Sequence, residues 1–489
     1  MSTDLQLGVN LPISAGQERS SSAYGRAVVA AALAPVDPVG AAAVGREKNW
    51  RHGYPLHLRR LVEAGLSAAD GVRIAEAGLA TARERAVRVG HGLDRPLTQP
   101  AEPLVPLALG QWRGTAEPET ELSLPLHGRR LRGEELRAQL ATWQRAGVLE
   151  PGAVAAVTEV LAHPEWLSLP GYRMVALGAA AEMGPVRSLL RWGATVIGVD
   201  LPGAPLWDRL EEVARRSAGT LQYPLQPDQT PGADLLTQTA ELREWLPQQV
   251  APGERLVLGN YAYADGVLNL RLALATDLLF TELAAELPDL AGAWLATPTD
   301  AFAVPGEVVR ASAQAYAQTS WKRLRAVAKT VSAGRLLQRN YHPDEDPGIA
   351  DAIIPQQGPN YLLAKRLHRW RATVARRAGQ QVSLLVAPPT RTRSVTRNRA
   401  LAAAYAGAHR FGVTVFEPAT ANTLMAALLV YELMAPRSTP DPGVARKQEE
   451  VAPWQEEAER AVAGGLWRGP YDPRSALGIA LVLGWGAAR

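Results

Sequence analysis

The sequence predicts an α/β chain: a doubly wound parallel sheet, with a mainly helical region before it and a short extension after it. Three observations predict this. Between about residues 172 and 433, short apolar or β-branched runs alternate with stretches of helical spacing, the pattern of parallel strands covered by helices on both faces. Several of the strand-like runs end in Gly, Asp, Asn, Thr or Pro, so polar and turn-forming residues collect at one end of the sheet. The chain of 489 residues, 47% apolar and 20% charged, is long enough for a large core and more than one domain.

Taken in order, residues 1–165 form the N-terminal helical region. Apolar residues recur at helical spacing over 59–65 and 74–89, the stretch 96–125 is broken by Pro and Gly and reads as loop or short strand, and 134–143 and 151–161 are helical again, the latter opening on Pro151. Residues 166–434 carry the alternating pattern. Strands are predicted at 173–177, 194–199, 220–223, 255–258, 291–296, 381–387 and 412–416, and helices at 183–192, 206–216, 267–287, 361–377 and 420–433. A helical insertion occupies about 305–350. Residues 435–489 form the C-terminal extension, opening on a Pro-rich linker at 436–442 and ending in a tail with Trp467 and Trp485.

Composition removes several function classes. There is no cysteine, which excludes disulfides, thiolate metal sites and cysteine nucleophiles. The eight histidines are scattered, and the pair His52 and His57 lacks helical ligand spacing, so no metal site is expected. The net charge of +4 comes from 52 basic and 48 acidic side chains; with no clustering of the basic residues, nucleic acid is not an expected partner. The most apolar stretches, 423–434 and 476–488, fall short of the roughly 20 residues of a membrane span. No stable membrane insertion is expected, no signal peptide is visible, and the expected compartment is the cytoplasm.

Chemistry concentrates first in the turn Gly178-Ala179-Ala180-Ala181-Glu182-Met183-Gly184, between a strand and a helix, with a second strand ending at Asp200, 22 residues after Gly178. Small residues let the backbone approach a pyrophosphate at the helix N-terminus, and an acidic residue after the second strand can bind ribose hydroxyls. This is the arrangement of a dinucleotide-binding Rossmann core. A buried turn without ligand and a methyltransferase site for S-adenosylmethionine fit the same residues.

Later motifs resemble the short-chain dehydrogenases/reductases. The turn is similar to that family's Gly-x-x-x-Gly-x-Gly loop, with Glu182 in place of the middle glycine. The segment Gln357-Gly-Pro-Asn-Tyr361-Leu-Leu-Ala-Lys365 resembles its Tyr-x-x-x-Lys helix, and the strand ending in Pro388-Pro389-Thr390 resembles the strand and loop that follow. Asn269, near the start of a helix, resembles the catalytic Asn; Asn260 stands where the Asn-Asn-Ala-Gly turn belongs; Thr297 and Thr299 stand where the catalytic Ser belongs. The chain departs from the family in its N-terminal zone and in the roughly 60 residues between those threonines and Tyr361, an insertion that must loop out, for instance as a substrate lid.

The resemblance implies an oxidoreductase that transfers hydride between NAD or NADP and a carbonyl or alcohol. Tyr361 would be its acid/base, Lys365 would lower the phenol's pKa and hold the nicotinamide ribose, Thr297 or Thr299 would hold the substrate oxygen, and Asn269 would place a relay water. Gly178, Ala179, Ala180, Ala181, Met183, Gly184, Asp200, Asn260, Lys365, Pro388 and Thr390 would bind cofactor, with Asp200 favouring NAD over a 2′-phosphate. The expected partner is a small-molecule substrate, and the outer zones would shape its pocket or a homo-oligomer interface. A non-catalytic nucleotide-binding protein with a regulatory or scaffold role is the alternative, and a methyltransferase a further one.

Overall fold

The computed structural model describes residues 7–13, 18–90, 93–319, 322–435 and 451–486, so the Pro-rich linker at 436–442 lies outside the described residues. Its centre is a seven-stranded sheet: β1 (Ala108–Arg113), β2 (Tyr172–Leu177), β3 (Thr195–Val199), β4 (Thr220–Leu225), β5 (Arg255–Asn260), β6 (Ala291–Ala296) and β7 (Val382–Val386). The order across it is β7-β6-β5-β2-β3-β4-β1. Strands β2 to β7 pair in parallel, and only β1 runs antiparallel, at the edge beside β4. Counted from β2, the six parallel strands follow the doubly wound order 3-2-1-4-5-6, which reverses between β2 and β5 and opens a crevice at their C-terminal ends.

The strands are buried on both faces, and their side chains alternate between two cores with the period of two that a pleated strand imposes. Val175, Leu177, Leu256, Leu258, Trp294 and Leu384 enter one core; Met174, Ala176, Val257, Leu295 and Leu385 enter the other. The first core is closed by α9 (Thr239–Trp245), α10 (Val267–Glu286) and α13 (Pro359–Arg377). Outside them lie α1 (Ser21–Leu33), α2 (Pro38–Arg46), α3 (Trp50–Ala64) and α4 (Ala68–Arg85). The second is closed by α7 (Val186–Arg191), α8 (Ala204–Arg215) and α16 (Pro418–Met434), with α6 (Pro151–Ala162) against α16 and α5 (Gly133–Arg145) against α6. Trp50 and Tyr54 are buried in the first core.

Local chemistry sets the helix starts. Ser20 accepts the Ala23 N–H and Ser67 the Asp70 N–H as N-caps, and Pro151 and Pro359 stand in first turns, where no N–H is needed. The helix expected at 183–192 begins only at Val186, because residues 178–185 form successive turns. The strand expected at 412–416 is absent: a short 3-10 turn (Ala408–Phe411) ends at Gly412 with φ 80°, and Phe416 makes only an isolated bridge to Thr390. The place beside β7 is taken by the C-terminal extension, whose Val462 N–H bonds the Val386 carbonyl and whose Gly464 carbonyl takes the Thr414 N–H.

Ala301–Val304 and Gly348–Asp351 pair as an antiparallel hairpin, fully buried, and carry α11 (Gly306–Gln318) and α12 (Lys322–Val331) between them. Where β6 leads into this hairpin, Asp300 is 0% exposed. Arg366 Nη2 donates to it at 2.6 Å and Arg369 Nη1 at 2.9 Å, both from α13. Arg369 also grips Glu457 of α17 (Pro453–Glu459) with two bonds of 2.7 and 2.6 Å. On the other side of α13, Arg371 meets the buried Asp277 of α10 at 2.6 Å. One helix is thus tied by buried charge to the insertion, the C-terminal extension and its neighbour in the core.

Removing one member of a buried ion network leaves its partners charged and dry, which costs about 3–5 kcal/mol. Arg369→Ala is expected to lose that much in urea unfolding. Arg129→Ala, whose partner Glu135 is exposed, is expected to change stability by about 0–1 kcal/mol.

Candidate active site

A pocket of about 330 Å³ opens at the C-terminal ends of β5, β6 and β7, where ligands bind in this architecture. Of the residues singled out from sequence, Tyr361, Lys365, Thr297, Thr299, Met183, Pro388 and Thr390 line it together. Gly358, at φ 83°, turns the chain into α13, so Tyr361 lies in the first turn and Lys365 one turn on, on the same face. Thr297 and Thr299 come from the loop after β6, their hydroxyls 2.9 Å apart, and Thr297 hydrogen-bonds the Tyr361 phenol. Lys365 Nζ donates to the Leu295 carbonyl at 2.9 Å and stands 5.9 Å from the centre of the Tyr361 ring.

The electrostatics differ from the expected pattern. Burial pushes the Lys365 ammonium down to about 8. Burial also raises the Tyr361 phenol; the Thr297 hydrogen bond opposes this, and the charge of Asp300 adds to it. The phenol is therefore held above its ordinary value, not lowered by the lysine as the resemblance implies. The physical reason is that Lys365 is itself short of solvent and spends a hydrogen bond on β6.

The remaining residues singled out do not line this pocket. Asn269 accepts the Ala264 N–H at 3.3 Å. Asn260 accepts the Ala262 N–H and points its amide nitrogen at His368 Nε2, 2.9 Å away. Burial, then the charge of Lys365, holds His368 well below the usual range, so it is neutral. An amide nitrogen only donates, so the ring proton sits on Nδ1, which has no partner.

The turn from Gly178 to Gly184 is also turned inward. The N–H groups of Gly178 and Ala179 bond the Val199 carbonyl, that of Ala181 bonds Gly178, and that of Gly184 bonds Ala181. Asp200 accepts the N–H of Ala180 at 3.0 Å and that of Leu201 at 2.9 Å. A Cβ at Gly178 would strike the Ala262 backbone, so this glycine serves a close approach of two loops. Glu182 accepts the Arg393 N–H at 2.8 Å and pairs with its guanidinium at 3.3 Å. Tested against a dinucleotide, the donor set does not fit: most of the loop's N–H groups and the Asp200 carboxylate are spent inside the protein, and a carboxylate stands where phosphate would need donors.

The pocket wall also holds residues that sequence reasoning passed over. Tyr263 donates to Asp265 at 2.9 Å and meets the Tyr361 ring edge-on at 6.1 Å. Gln357 lines the pocket with its Oε1 buried and without a partner; it stands just before the tyrosine helix, a position the motif already marked. Ser394, Val395, Asn398, Leu401 and Tyr405 come from α14 (Arg393–Arg397), α15 (Arg399–Gly407) and the link between them. None of residues 305–351 lines the pocket, so its outer wall is α14 and α15 rather than the insertion. Behind them lies α18 (Pro473–Gly484), where a Cβ at Gly407 or Gly484 would land on a carbonyl oxygen of the opposite helix. Among the described residues no group of three or more His, Asp or Glu could hold a metal ion, and no helix is long and apolar enough to cross a membrane.

No family model matches the chain, and no curated protein matches it. Among solved structures, a short-chain dehydrogenase/reductase from Serratia marcescens is similar over 55% of this chain and 91% of its own, at 14% identity and a TM-score of 0.32.

Two outcomes are expected. Lys365 is pushed to about 8 in the folded chain against an ordinary 10.5, so between those values the unfolded chain binds more protons. Stability of the wild type relative to Lys365→Met should therefore rise with pH across that window and stay level below it, read by urea unfolding at several pH values. Glu182→Gly removes the carboxylate from the turn and should tighten NADH binding, read by tryptophan fluorescence; equal affinity would clear the carboxylate as the obstacle.

Proposed function

We propose that the chain is an oxidoreductase acting at a carbonyl or alcohol, with Tyr361 as the group that gives or takes the proton at the substrate oxygen. One observation carries this reading. A tyrosine, a lysine one helical turn away and a hydroxyl pair from the neighbouring strand end line a single pocket at the C-terminal edge of a doubly wound sheet. Thr297 would hold the substrate oxygen against the phenol, with Thr299 orienting Thr297. Lys365, charged below about pH 8, would favour the phenolate once a ligand displaces water.

NAD or NADP is the cofactor this reading names. Met183, Lys365, Pro388 and Thr390 would meet its nicotinamide end, but the inward-turned loop does not fit its phosphates, and no step is derived through it. The protein's own share is proton transfer and substrate placement. The closed turn also favours a second reading, a non-catalytic pocket protein that has kept the sheet and lost the nucleotide.

Tyr361→Phe separates the two. Under the first reading it keeps ligand binding and lowers turnover on carbonyl or alcohol substrates about 10²–10⁴-fold. Unchanged turnover would remove Tyr361 from the reaction, and absence of turnover in the wild type with NADH, NADPH and a broad carbonyl panel would favour the second reading.

A further inference from the structure

The insertion between β6 and α13 carries a second feature, remote in sequence from Tyr361. Tyr316, near the end of α11, is 5% exposed, and three cations surround it. The Arg325 guanidinium stacks 3.9 Å from its ring centre, that of Arg339 lies 4.7 Å away, and Lys329 Nζ donates to the phenol at 2.8 Å. Arg325 and Lys329 are one turn apart on α12, a like-charged spacing that weakens a helix. Among the described residues none of the three has a carboxylate within ion-pair distance, in contrast to the buried arginines of α13.

Arg325 has a structural use, since its Nη1 also donates to the Tyr316 carbonyl at 2.8 Å near the open end of α11. Lys329 and Arg339 contact Tyr316 only through its phenol and its ring. Both line a cleft of about 650 Å³, together with Arg59, Gln338, Asn340 and His342. One acidic side chain, Glu345, shares that lining, and Arg59 is held by Glu63 at 2.7 Å and lies 3.8 Å from Asp351. The phenol reports the local field. Burial alone would raise it, yet the Lys329 hydrogen bond and the three charges outweigh burial and hold it below its ordinary value.

We propose that this cleft binds a phosphate group, held by Lys329 and Arg339; the side-chain amides of Gln338 and Asn340 are spent on the Gly334 and Leu466 carbonyls and frame the cleft. Phosphate suits the pair because it is a dianion with several acceptor oxygens, which an ammonium and a guanidinium fork satisfy together. A single carboxylate would leave most of the positive charge uncompensated. The site is separate from the Tyr361 pocket and shares no lining residue with it.

The test is calorimetric titration of the full chain with inorganic phosphate, with sodium chloride matched for ionic strength as the reference. Saturable binding is expected in the wild type, weakened at least tenfold in K329Q/R339Q and unchanged in R335Q. Should the double variant fail to fold, the single variants K329M and R339K are read separately, each expected to weaken binding at least threefold. Heat no greater than that of matched chloride, or binding in the variants within twofold of wild type, overturns the proposal. A second arm uses phosphatidylcholine vesicles with and without phosphatidic acid. Sedimentation only with phosphatidic acid, lost in the same variants, assigns the phosphate to a lipid headgroup; binding of free phosphate without sedimentation assigns it to a soluble ligand.

Discussion

Asp300 is a carboxylate with no access to water, and the surrounding chain neutralises it. Two guanidiniums from α13 reach it, and one of them extends the charge chain to Glu457. Desolvating these groups is expensive, so the network does not by itself explain stability; its effect is geometric. Arg366 and Arg369 must face Asp300 and Arg371 must face Asp277, which leaves one rotation for α13. In that rotation Tyr361 and Lys365 emerge together at the pocket, and Gly78 of α4 packs directly against Trp370. The site is aimed by buried charge on the same helix that carries it.

The two halves of the site have separated. At β6 and β7 the hydroxyls, Lys365 and Gln357 line the pocket, with the Gln357 Oε1 left without a partner. At β2 and β3 the equivalent groups face one another: Asp200 bonds Ala180 and Leu201, and Glu182 bonds Arg393. A polar group already satisfied within the protein gains little by exchanging its partner for a ligand, so the first half is available for chemistry and the second is part of the frame.

Much of the sheet was legible in the sequence because strands buried on both faces read as short apolar runs, and six such runs became β2 to β7. The edge strand β1 was legible only as loop or short strand, since Ala108–Arg113 is mostly exposed and sits among Pro and Gly. The run at 412–416 misled for the opposite reason: it is apolar, but the C-terminal extension had already filled the sheet edge beside it. Tyr361 and Lys365 were legible through their one-turn spacing. The direction of the phenol's pKa was not, because it depends on Asp300 and on burial, which are contacts across the fold. The outer wall from Ser394 to Tyr405 carried no signal, being short, polar and mixed in composition.

The glycine contact between α15 and α18 sets where the outer wall of the pocket stands. Leu401 and Tyr405 stand on a helix whose back is pressed against the last helix, backbone to backbone at Gly407 and Gly484. The contact leaves no room for a side chain on either glycine, so any substitution at Gly407 or Gly484 must push the two helices apart and carry Leu401 and Tyr405, and with them the width of the pocket mouth, along.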